Sequence, residues 1–186
     1  MFTSTVPDRL TKVLSLAADG SMAKESAANM MRGTAQRATV QGLQALADVL
    51  ENLSPAQAVS WGVCDRVQAT IVPERDAQGQ PDAISRTRRH FAYPAGPGVL
   101  MLDHDGTPDG ELSADAFRQR LIDACPALVG APMLWRPSCS AGVRAPGGRE
   151  LSALTRHRLY IPVRDASRIP EAGRALMQLL WAAGLV

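Results

Sequence analysis

The run Val99-Leu100-Met101-Leu102, followed at once by Asp103-His104-Asp105, constrains this chain more than any other stretch. Four consecutive apolar residues ask for a buried strand, and two carboxylates then stand at its mouth. On a strand, positions i and i+2 project from the same face. Asp103 and Asp105 are therefore expected to aim at one point, roughly 6–7 Å apart at the backbone for a rise of about 3.3 Å per residue. Carboxylates so placed repel, and a divalent cation between them relieves the repulsion. Mg²⁺ held by one or two carboxylates plus substrate phosphates is the usual arrangement in phosphoryl and nucleotidyl transfer. The competing reading is a plain Asp-x-Asp-Gly turn that closes a strand.

Around this strand the chain reads as α+β. A helix is expected over 8–17, and a well-defined amphipathic helix over 39–53, where Val40, Leu43, Leu46, Val49, Leu50 and Leu53 recur at helical spacing. A shorter helix is expected from Ser54-Pro55 through Ala58 to Trp61, then a strand over 67–72 and a loop over 73–82. Past the carboxylates, a helix runs over 113–124 with Ser113 as its N-cap. A short strand is read at Met133-Leu134-Trp135, and an edge-like strand over 158–163 because of Pro162. Ile169-Pro170 opens a last helix with Ala172, Leu176, Leu179 and Leu180 inward. Residues 1–83 thus form a mostly helical extension, and residues 84–186 a second domain.

Composition narrows the function classes. The longest apolar runs are far short of the roughly 20 residues that span a bilayer, and Met1 to Leu10 lacks a signal-peptide pattern. The reading is a cytoplasmic chain with no membrane partner. Cys64, Cys125 and Cys139 are widely spaced and odd in number, which suits free thiols in a reducing compartment better than a disulfide framework or a zinc site. Lys12 and Lys24 are the only lysines among 20 basic residues. Arg suits planar, bidentate recognition of phosphate, but a GC-rich coding sequence is the simpler explanation of the bias, since Ala is also abundant. Arg86, Arg88, Arg89 and His90 make a basic run before Phe91 and Tyr93. Such a run tracks a nucleic-acid backbone, with the aromatics as stacking surfaces, or else is a solvated charged loop.

Residues 98–105 resemble the hydrophobic-Asp-x-Asp motif of the archaeo-eukaryotic primase (primase-polymerase) superfamily. Further on, Pro137-Ser138-Cys139-Ser140-Ala141-Gly142, a Gly-rich loop and His157-Arg158-Leu159-Tyr160 are similar to the Ser-rich turn, variable loop and His-x-Tyr strand of primase-like proteins of phages and integrated elements. The resemblance implies a partial RRM-like core with a mixed or antiparallel sheet, acting in replication of a mobile element. It implies Mg²⁺ or Mn²⁺ on Asp103 and Asp105, and a nucleoside triphosphate at Ser138, Ser140 and His157 or Arg158. Single-stranded or primed DNA would lie along Arg86, Arg88 and Arg89, with a helicase or other replication protein as a possible partner. The superfamily supplies a third acidic residue on a later strand. Asp165 lies beside the second motif and is a poor substitute, so that strand is expected beyond Val186.

Two alternatives stand beside this reading. One is a non-catalytic nucleic-acid- or protein-binding module of a mobile element. The other is a haloacid-dehalogenase-type phosphatase, whose first motif is similar to Asp103-His104-Asp105-Gly106-Thr107. That family also needs a later Lys, and no Lys follows residue 24.

Overall fold

The computed structural model describes residues 1–5, 10–25, 30–60, 62–105 and 112–185. The chain is α+β. Its first elements are β1 (Phe2–Ser4), β2 (Val13–Leu16), β3 (Met22–Glu25), β4 (Gly33–Gln36), α1 (Gly42–Glu51), β5 (Gln57–Ala58), β6 (Val63–Cys64), β7 (Gln68–Ile71), α2 (Glu74–Ala77), β8 (Ala83–Ile84) and β9 (Phe91–Ala92). There follow β10 (Gly98–His104), α3 (Ala114–Ala124), β11 (Leu134–Pro137), β12 (His157–Val163) and α4 (Ile169–Ala182), with 3-10 turns at Pro126–Leu128 and Ala166–Arg168.

Two compact units divide the chain, Met1–Val13 with Lys24–Pro94, and Leu14–Ala23 with Ala95–Val186. The first is built on a five-stranded sheet in the order β5-β1-β4-β7-β8. Its strands alternate as half-buried strands should: Ala69 and Ile71 of β7 turn inward while Gln68 and Thr70 face out. Phe2, Met30, Ala35, Cys64, Ala69, Ile71 and Ile84 close the core. The mostly helical extension expected over 1–83 is corrected here, since the described part of that region has more strand than helix. Strands of two to four residues place only one or two side chains inward, too few to show a period in the sequence. Thus β2 stands within the helix expected over 8–17, of which residues 8 and 9 lie outside the described residues. Likewise β5 replaces the helix expected from Ser54-Pro55, because Gln57 and Ala58 pair with Thr3 and Phe2. The loop expected over 73–82 contains the short α2, and β8 returns parallel to β7. The boundary also moves: the first unit runs to Pro94, and the segment 14–23 belongs with the second.

The second unit follows the order β10-α3-β11-β12-α4, and its sheet has the spatial order β10-β12-β11, antiparallel throughout. Ser113 caps α3 as its type predicts, its Oγ accepting from the Ala116 N–H at 3.2 Å. Phe117 and Leu121 of α3 and Leu176 and Leu180 of α4 meet Leu159 of β12 in one apolar cluster, with Leu102 and Trp135 packed against it. Leu179, expected inward, is 44% exposed instead. The strand expected to be edge-like is the central one. Pro162 is tolerated because β11 reaches only as far as the Leu134–Tyr160 pair, so no strand of the described residues flanks Pro162 on that side.

Candidate functional site

Register assembles what the sequence separates. Asp103 pairs across the sheet with Arg158, and Arg158 pairs on its other side with Arg136. The three residues form one row over β10, β12 and β11. Leu159, next to Arg158, points into the α3/α4 core, so strand alternation turns this row to the opposite face. The next row on that face is Met101, Tyr160 and Leu134.

Asp103 and Arg158 form a bidentate ion pair. Arg158 Nε donates to Oδ1 at 3.0 Å and Nη2 donates to Oδ2 at 3.2 Å, with each side chain about one third exposed. The Asp103 hydrogen bonds raise the Arg158 pKa above its usual range, against the effect of burial. Below them, burial pushes the Tyr160 phenol up, and Arg158 and Arg136 pull it back in part. Asp105 is exposed and lies one residue past the strand.

His157 does not join that row. It is fully buried on the core face, where its Nδ1 accepts from Trp135 Nε1–H at 3.1 Å. Its Nε2 therefore carries the proton and donates to the Leu112 carbonyl at 2.6 Å. Both nitrogens are spent inside the fold, so the expected contact of His157 with a triphosphate is corrected to a structural role, and Arg158 is the basic residue on the surface. Ser138 and Ser140 are corrected in the same way, being 4% and 0% exposed. Ser140 Oγ accepts from Arg156 Nη1, its carbonyl accepts from Ser152 Oγ, and the Ser138 N–H donates to the Arg156 carbonyl. These serines close the loop on itself, and Cys139 between them is the exposed residue.

Arg86, Arg88 and Arg89 are exposed and belong to the first unit. They are not part of the Asp103 row. Arg136 escaped the sequence reading because the strand was expected to stop at Trp135. Its alternation with Leu134 was the available signal, but only the pairing with β12 puts it beside Arg158.

Among the described residues, no three His, Cys, Asp or Glu side chains cluster as a metal site. Asp109 and Glu111 lie outside the described residues. Two carboxylates, one of them already held by a guanidinium, are a poor cage for a resident ion. They suit a cation that arrives on a phosphate chain, whose oxygens complete the coordination. On the core side of β10, a mainly apolar cavity of about 340 Å³ lies among Leu100, Leu102, Phe117, Leu121, Met177 and Leu180. No helix among the described residues is long and apolar enough to cross a membrane. Comparison of the chain with protein-family models, with curated proteins and with solved structures gave no match.

Proposed function

We propose that the second unit is a primase-polymerase-type core that binds a nucleoside triphosphate with its divalent cation for template-directed nucleotidyl transfer. The observation that carries this reading is the row Asp103–Arg158–Arg136. It offers a carboxylate for a cation and guanidinium groups for the adjoining phosphates on one face, with Asp105 two residues further along the chain. The element order supports it as well. A β-α-β-β-α chain whose first strand lies beside its third, with both helices on one face, follows the split β-α-β scheme to which RRM-like folds belong.

In this reading Asp103 and Asp105 hold Mg²⁺ or Mn²⁺, while Arg158 and Arg136 grip the phosphate chain. The cation, when bound, would neutralise charge that develops as a 3′-hydroxyl attacks the α-phosphate, loses its proton to solvent and expels pyrophosphate by cleavage of the bond between the α-phosphorus and the bridging oxygen. Trp135 and His157 keep β11 and β12 fixed beneath the row. In the first unit, Arg86, Arg88 and Arg89 supply phosphate contacts to single-stranded or primed DNA. The dehalogenase-type alternative fits less well. That chemistry is built on a parallel, Rossmann-like sheet, whereas every pairing of β10, β11 and β12 is antiparallel.

The test is incubation of the full chain with Mn²⁺, labelled nucleotide and a primed single strand. Incorporation that falls at least 100-fold in Asp103→Ala, on the scale of removing a charge-stabilising group, supports an active enzyme. DNA binding that survives Asp103→Ala and Asp105→Ala, with no incorporation by the unaltered chain, favours the binding module. That second reading draws on the ion pair that already occupies Asp103.

A further inference from the structure

We infer that Arg158 guards Asp103, so that a divalent cation and a polyphosphate bind this site with positive coupling and neither binds well alone. The inference rests on the reading given under Proposed function and adds to it an order of events within the site.

The geometry is specific. Both Asp103 oxygens face the Arg158 fork, at 3.0 and 3.2 Å, and the two residues are direct partners in the β10–β12 register. A cation approaching that carboxylate meets a guanidinium already in place, and like charges a few ångströms apart repel. Relief does not come from Arg136, which stands on the far side of Arg158 and carries the same sign. A phosphate chain reverses the balance. It gives the guanidinium an acceptor whose total charge exceeds that of one carboxylate, and Arg–phosphate pairing is bidentate, as Arg–carboxylate pairing is. Once Arg158 turns to phosphate, Asp103 is released to act with Asp105 on the cation that the phosphates carry. Linkage makes the effect reciprocal: whatever factor nucleotide adds to cation affinity, the cation adds to nucleotide affinity.

This predicts an outcome opposite to that of a plain cation-binding pair. Removing a positive residue from the site raises affinity for the free cation while lowering affinity for nucleotide. Mn²⁺ binding to the full chain, read from loss of the free-ion electron paramagnetic resonance signal, measures the first quantity without any turnover. Arg158→Gln is expected to bind Mn²⁺ about 10-fold more tightly than the unaltered chain, within the 5–150-fold range of ordinary coupling. Arg158→Lys keeps the charge without the fork, and should fall between the two. Asp103→Asn added to Arg158→Gln should abolish the gain. Equilibrium binding of a non-hydrolysable nucleoside triphosphate with Mn²⁺ should weaken in Arg158→Gln and in Arg136→Gln, and Arg136→Gln should gain far less for free Mn²⁺.

Equal Mn²⁺ affinity in the unaltered chain and Arg158→Gln, both folded by circular dichroism, overturns the guard. So does a gain that persists after Asp103→Asn. If the guard fails while labelled nucleotide is still incorporated, the nucleotidyl-transfer reading stands without it. If Arg158→Gln shows its Asp103-dependent gain and no incorporation occurs, the guard stands and the enzyme reading falls.

Discussion

His104 and His157 are register partners at the ends of β10 and β12, with ring centroids 5.9 Å apart, yet their surroundings differ. His157 has a partner for each nitrogen. The ring of His104 packs on Phe117 at 4.5 Å, and neither nitrogen meets hydrogen-bond geometry, although the Thr155 backbone lies near one of them. Burial holds the His104 pKa below its ordinary 6.5, and His157 and Arg120 act in the same direction, against Thr155 and Asp105. In the unfolded chain the ring titrates near its ordinary value. As pH falls below about 6.5, the unfolded state takes a proton that the folded state refuses, so stability falls until the folded pKa is reached. Above 6.5 the contribution is nil. Each unit of pKa lowering corresponds to at most about 1.4 kcal/mol. Urea midpoints at pH 7.5 and 5.5 are expected to differ more for the unaltered chain than for His104→Leu, and identical differences would remove His104 as the cause. Leu also removes two buried polar atoms that meet hydrogen-bond geometry with none of the described residues, so His104→Leu should be no less stable at pH 5.5.

The elements of the second unit meet at one close approach. A Cβ placed on Gly98 of β10 would lie 2.6 Å from the Ala166 Cβ, and Ala166 is pinned by its N–H donating to the Gly96 carbonyl at 2.7 Å. No flexible side chain is there to move aside. Gly98→Ala should cost about 1–3 kcal/mol, as overpacking does. Gly173, within α4, has open space where its Cβ would be, so Gly173→Ala should add about 0.5–1 kcal/mol through helix propensity. Chemical denaturation of the two variants should give shifts of opposite sign, and a shared sign would contradict the packing described. Long elements like these were legible in the sequence. The helix over 113–124 with its Ser113 cap, the start of α4 at Ile169-Pro170 and the buried run in β10 all follow from local pattern. Pairing was not legible. The role of Pro162 depends on where β11 stops, and the Asp103–Arg158–Arg136 row depends on the register of three strands that 22–55 residues of spacing conceal.

At the scale of the whole molecule, the described residues form two apolar cores rather than one core and an appendage. Phe2, Ala69, Ile71 and Ile84 belong to the first, and Phe117, Leu121, Leu159 and Leu176 to the second, with no residue shared. The carboxylate pair was visible from its spacing, but its guanidinium partner was visible only as a basic residue on a later strand. Burial was not visible either, and it removes Ser138, Ser140 and His157 from the surface. Separate cores make separate responses to core damage. Ile84 is fully buried in the first unit and Leu159 is 1% exposed in the second. Truncating either to Ala should cost about 2–5 kcal/mol. Hydrogen exchange followed by mass spectrometry reads where that loss falls, because amides report the opening of the unit that contains them. Ile84→Ala should speed exchange over β4 and β7 and leave β10 and β12 near their original rates, with the reverse for Leu159→Ala. Equal acceleration everywhere would mean that the two cores open as one cooperative unit. The segment 14–23 is the sharpest reporter, since sequence order groups it with the first core and the fold with the second. Its Gly20 carbonyl accepts from Arg149 Nη2 at 2.6 Å, a contact 129 residues away in sequence. Exchange in this segment should therefore respond to Leu159→Ala, not to Ile84→Ala.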